Sequence, residues 1–192
     1  KKWPDFPNNR GVLAWCIYDL EINKNIEIIR QNESAYFGAA TRILNLVQQD
    51  TYSPVARTIF KVIEFLEETR ENFPAEYINE WLDKLDPTKL TLETWQGVDA
   101  KGNPMEHASD REKWYAKKGK VLFEQRKYQE CIENGLDAIK NIPHFHYHND
   151  KWIKREIGLS YGALGNPEEG LKWFEQIMDA NAEWFLYYEM GT

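Results

Sequence analysis

At 192 residues, with 31 acidic against 24 basic side chains, the chain carries a formal charge of -7, the wrong sign for general binding to a phosphate backbone. Its 8 Trp, 10 Tyr and 9 Phe exclude a disordered polypeptide even though 29% of the residues are charged. No apolar run approaches the roughly 20 residues that cross a bilayer, and the start "KKWPDFPNNR" lacks the apolar stretch of a secretory leader, so a cytoplasmic protein without membrane contact is expected.

Read for periodicity, nearly the whole chain is helical. Leu13, Ile17 and Leu20 recur at helical spacing, as do Ala39, Ile43 and Leu46 or Val47. Ser53-Pro54 offers an N-cap serine and a proline suited to the first helical position, and Val55, Ile59, Val62, Ile63 and Leu66 draw one apolar stripe behind them. Pro74 opens a shorter helix through Trp81, Leu82 and Leu85, which Asp86-Pro87 closes. Residues 1–86 therefore form an N-terminal helical region. Residues 87–108, rich in Pro and Gly and holding the turn signal "KGNP", predict a connector with a short extended piece at "KLTLETW". Helix resumes after Ser109-Asp110-Arg111-Glu112, a capping box in which the serine oxygen accepts a backbone N–H and the glutamate reaches back to cap another. The cysteines, Cys16 and Cys131, fall at apolar helical positions outside any metal or redox pattern and are expected as buried, reduced thiols.

Residues 109–192 repeat themselves. Gly119, Tyr128, Cys131, Ala138 and Pro143 lie at relative spacings 0, 9, 12, 19 and 24, and Gly158, Tyr161, Gly165, Gly170, Phe174 and Ile177 at 0, 3, 7, 12, 16 and 19. Two antiparallel helices approach closely only where side chains are small, which sets Gly119 against Cys131 and Gly158 against Gly170. The pattern resembles the tetratricopeptide repeat. The resemblance implies an all-α protein of antiparallel helix-turn-helix units stacked as an α-solenoid, with two full units and the start of a third. Cys131 stands for the usual alanine, Gly135 for a large aromatic, and no proline closes the second unit. The glycines at 119 and 158 are 39 residues apart, against a family period of about 34, so the stretch "PHFHYHND" reads as an insertion. The last segment, "AEWFLYYEMG", starts as a first helix should and lacks its partner, so further repeats or domains are expected beyond Thr192. Residues 11–85 are degenerate repeats or a separate cap.

Paired carboxylates, a Ser/His/Asp order, Gly-rich phosphate loops and HExxH are all missing, so no enzyme activity and no cofactor are expected. Acids such as Glu67-Glu68 and Glu168-Glu169 read as solvated helix surface or helix starts. His144, His146 and His148 are the remaining ligand candidates. If extended, all three face one side; if helical, His144 and His148 are neighbours. The preferred reading is a joint, in which Phe145 and Tyr147 pack and the imidazoles are solvated or bonded to helix ends, with no metal.

A basic patch interrupts this acidic chain: residues 111–127 hold seven basic side chains and two acidic ones. Lys113, Lys117 and Lys120 form a stripe on one helix face. The resemblance places them, with Arg155 of the next unit, in the family's concave groove. Ala116 and Lys120 stand where the family's carboxylate clamp has lysine and asparagine, so recognition of a chaperone C-terminus is not carried over. Two readings follow for the stripe, a groove for an acidic segment held by charge-assisted hydrogen bonds and an ordinary solvated face. The chain is expected to be a scaffold that holds a protein or peptide partner; the alternative is a helical accessory region of a larger enzyme or nucleic-acid-associated protein.

Overall fold

The computed structural model describes residues 7–98 and 102–178, and the aromatic helix expected over residues 182–191 lies outside them. The chain divides into two units, Lys1–Leu90 and Thr91–Thr192. Nine α-helices and one two-stranded hairpin make up the described residues, none of them a helix long and apolar enough to cross a membrane.

The first unit is helical throughout. Helix α1 (Pro7–Ile17) runs into a π-helical turn, Tyr18–Ile22, and is followed by α2 (Ile26–Gln31), α3 (Glu33–Leu46), α4 (Val55–Thr69) and α5 (Ala75–Leu82). Asn25 and Asn32 start α2 and α3, their side chains accepting from the N–H of Ile28 and Ala35 at 3.2 and 3.1 Å. The α4 stripe of Val55, Ile59, Val62, Ile63 and Leu66 is buried throughout, and Ile78 and Leu82 of α5 are fully enclosed with it. The start of α4 differs from the expected cap. Pro54 takes the cap position, and Ser53 Oγ instead accepts from the Asp50 N–H at 3.1 Å, closing the preceding turn. Gln49 clasps the chain after α5, donating to the Asp86 carbonyl at 2.9 Å and accepting its N–H at 2.7 Å. Cys16 corrects the expectation for both thiols, because it is exposed while Cys131 is buried.

The second unit opens with the hairpin, β1 (Trp95–Val98) antiparallel to β2 (Pro104–His107), in register Trp95↔His107. The expected connector thus holds an extended segment, displaced toward the turn signal because a strand needs a partner across the turn. Four helices follow: α6 (Asp110–Glu124), α7 (Tyr128–Asn141), α8 (Asn149–Ala163) and α9 (Pro167–Glu175). Each packs on the next, and α6 also touches α8.

Small residues set the crossings. The Cys131 thiol donates to the Gly119 carbonyl at 3.5 Å, and Asn134 Nδ2 to the Tyr115 carbonyl at 3.1 Å, so α6 and α7 run antiparallel. In the second pair a Cβ on Gly170 would lie 2.6 Å from the Gly158 carbonyl oxygen, and one on Gly158 would meet Phe174 at 2.8 Å. Gly135 has a reason of its own: Ile157 lies 2.7 Å from where its Cβ would be, so α8 seats its isoleucines on α7 where an aromatic would hold it off. Ala138 and Phe174 are buried, whereas Tyr128 and Tyr161 are half-buried, Tyr128 edge-on to Phe123 at 5.7 Å.

Both pairs turn in the same way. Lys127 N–H donates to the Leu122 carbonyl and Arg126 N–H to that of Phe123; Asn166 and Gly165 repeat this with Tyr161 and Gly162. This is the Schellman closure, which puts its C′ residue in left-handed backbone. Gly165 at φ 82° and Arg126 at φ 58° occupy that place, 39 residues apart.

Replacing Gly170 by alanine should cost about 1–3 kcal/mol, since the new methyl meets unyielding backbone. Gly162 of α8 has nothing within 4 Å of a Cβ, so its alanine variant should gain about 0.5–1 kcal/mol. Urea denaturation of the two variants checks both signs.

Candidate functional site

Residues 142–148 between α7 and α8 form no regular element, and Tyr147 and His148 both take left-handed backbone, at φ 53° and 60°. Such conformations cost non-glycine residues about 1–2 kcal/mol each, so surrounding contacts must hold them. Glu112 supplies the strongest. It lies in the first turn of α6 with no exposed surface. Its Oε1 accepts from the His146 N–H at 2.7 Å and from Asn149 Nδ2 at 2.8 Å, and its Oε2 is 2.8 Å from His146 Nδ1. The Glu112 N–H donates to Ser109 Oγ at 3.2 Å, so the serine half of the capping box is present while the carboxylate serves the joint. Asn149 is the first residue of α8 and points its amide at Glu112.

Strand β2 closes the other side. Tyr147 Oη donates to the Glu106 carbonyl at 3.2 Å and lies 2.9 Å from His107 Nδ1. His107 stacks on Trp95 with ring centres 3.7 Å apart, over the open face of Gly97. The Thr94 hydroxyl donates to the Glu106 carboxylate, and this bond, with the nearby His146 and His144 rings, holds that carboxyl below its ordinary range.

The three candidate imidazoles do not converge. His146 turns inward, 9% exposed, with Nε2 3.8 Å from Glu106 Oε2; His144 rests edge-on against it at 5.1 Å, exposed; His148, also exposed, stands in the turn before α8. Among the described residues no group of three or more His, Cys, Asp or Glu side chains is arranged to hold a metal ion. The arrangement works as a fastening, in which one buried carboxylate gathers three N–H donors from the joint.

The basic stripe runs along α6 from half-buried Lys113 to exposed Lys120. Lys113 is paired with Asp110 at 3.4 Å and stands 6.0 Å from the Trp95 ring; Lys117 is half-buried, Lys120 exposed, and the Arg155 guanidinium lies 5.9 Å from the Trp152 ring. Between the helices sits Glu156, whose Oε2 is 2.6 Å from where a Gly119 Cβ would be. Gly119 thus makes room for a carboxyl as well as for Cys131. Burial pushes the Glu156 carboxyl up to about 8, against the pull of Arg155 and Lys120 and with the help of Glu124. Cys131 is no nucleophile, since burial raises its thiol to about 12.

Sequence reasoning passed over Glu106, His107 and Glu156, and read Glu112 only as the acid of a capping box. For Glu112 a signal existed. It shares one helix face with Tyr115, Gly119 and Leu122, so an acid stands on the buried stripe. No protein-family model, curated protein or solved structure matches the chain.

Replacing Glu112 by alanine leaves three partly buried N–H groups of the joint without this acceptor and should cost about 2 kcal/mol in chemical denaturation. The Glu156 carboxyl holds its proton more tightly in the folded chain than at the ordinary 4.5, so it favours folding at acid pH, and that contribution is lost as pH rises toward about 8. The melting temperature of Glu156→Gln relative to the parent should therefore climb from about pH 5 to about pH 8 and level off above.

Proposed function

We propose that the chain is a protein-interaction module of the tetratricopeptide-repeat type, without catalysis of its own, that holds an acidic peptide or protein segment along the exposed side of α6 and α8. The observation that carries this reading is the contact of α6 with α8, which sets Lys120 of one helix and Arg155 of the other within electrostatic reach of Glu156. Cations from alternate helices of the stack thereby face one strip of surface, and Lys117 extends the strip along α6. A helical frame presents these charges at fixed spacing, so binding need not order them. An acidic segment matches the strip in sign, and carboxylate oxygens make charge-assisted hydrogen bonds with lysine and arginine.

A fluorescein-labelled decaglutamate peptide tests the reading by fluorescence anisotropy. The peptide should bind at low salt and weaken as salt screens the exposed charges. Replacing Lys117 and Lys120 together by glutamate should lower affinity about tenfold or more, equivalent to at least ~1.4 kcal/mol, with little change in melting temperature. Equal binding by the double variant, or affinity indifferent to salt, would place recognition on another surface.

A further inference from the structure

A cavity of about 410 Å3 lies in the first unit between α2, α3 and α4. Its wall includes Tyr36 of α3, whose ring packs against Phe37 and Phe65 with centres 5.7 and 5.4 Å away and is only 3% exposed. The Tyr36 hydroxyl is buried and has no hydrogen-bond partner among the described residues. A buried hydroxyl left in this way destabilises the fold, and phenylalanine would fill the same space without that cost. Burial also raises the phenol above its ordinary range, so the group keeps its proton and can serve as a donor. A donor held at the wall of a cavity, and unsatisfied from within the chain, points to an acceptor that comes from outside it.

The rest of the wall carries charge of both signs in equal number, Lys24, Arg30 and Lys61 against Glu27, Glu64 and Glu68. Some of it is already engaged: Lys61 pairs with Glu64 at 2.8 Å, and Arg30 donates to the Glu68 main-chain carbonyl at 3.5 Å. A ligand of one sign meets as much repulsion as attraction on such a wall, whereas a molecule bearing both signs gains from each. Ile29 and Phe65, both buried, supply an apolar part of the same wall. We propose that this cavity is a binding site for a free α-amino acid with an apolar side chain, its carboxylate accepting from the Tyr36 hydroxyl and its ammonium donating to the wall carboxylates. The site belongs to the first unit and does not rest on the groove reading of α6 and α8. Because the hydroxyl is closed to solvent in this structure, binding requires a wall side chain to turn aside. The Lys61–Glu64 pair suits this, since its side chains are 39% and 51% exposed and such rotamer changes commonly accompany binding.

The test uses the whole chain at about pH 7, where an amino acid carries both charges, and reads calorimetry and thermal melting. L-Leucine and L-phenylalanine are the probes. At millimolar concentration at least one should raise the melting temperature, as a ligand of the folded state must. For L-leucine, two half-ligands separate the charges: 4-methylpentanoate lacks only the ammonium and 3-methylbutylamine only the carboxylate. Each should bind at least about tenfold more weakly than the amino acid. The corresponding pair for L-phenylalanine is 3-phenylpropanoate and 2-phenylethylamine. Tyr36→Phe should melt no lower than the parent and yet lose about tenfold in affinity for the amino acid, a split that a merely structural hydroxyl would not produce. The half-ligands are measured on the parent, so they decide the matter even where the variant fails to fold. Failure of both amino acids to bind the parent, equal binding by either half-ligand, or unchanged affinity in Tyr36→Phe would overturn the assignment.

Discussion

How closely two helix backbones can approach governs the whole second unit. At the crossing of α8 and α9 the Gly158 carbonyl lies so near Gly170 that no Cβ fits between them. An approach that close leaves no room for a wide connection, and each pair is joined by the same short left-handed closure. It also fixes which faces remain. Once α6, α7 and α8 have committed their small residues and isoleucines to one another, the lysine side of α6 is left outward.

Where the helices meet through larger side chains, the second unit relies on polar closure. The joint between α7 and α8 buries Ile142 but leaves Pro143, His144, Tyr147 and His148 exposed. It is held by a carboxylate that has lost all contact with water and regained three N–H donors in exchange. Such a group is stable only when fully satisfied. That requirement recruits the hairpin, because β2 supplies the partners of Tyr147 and the second wall around His146. Histidine in this stretch serves as a planar donor of suitable reach.

The helical class was legible because burial on one face imposes a period that survives in single residues: every member of the α4 stripe named from spacing is buried. The close approaches at Gly119 and Gly158 were visible for a related reason, as glycine inside a helix is costly unless space requires it. What escaped has equally physical causes. A four-residue strand such as Trp95–Val98 exposes most of its side chains and leaves no alternation to read. Glu112 and Glu156 look like surface acids, since sequence shows residue type and conceals what comes to meet it from 34 residues away or from another helix. Arg126 was hidden because its left-handed turn is imposed by the hydrogen bonds of the closure, where Gly165 announces the same turn by its own chemistry. Cys16 follows the apolar period of its helix and is exposed all the same.

The spans of these contacts along the chain differ in a way that bears on folding order. The bond from Cys131 to Gly119 crosses 12 residues, whereas Glu112 reaches His146 across 34 and Tyr147 reaches Glu106 across 41. Closing a longer segment forfeits more chain entropy, and short-range contacts form sooner. The helix pairs are therefore expected to assemble first and the clasp over the joint to shut last. In the native protein it becomes the easiest part to lift, an order readable as faster hydrogen exchange at the His146 amide than at that of Cys131.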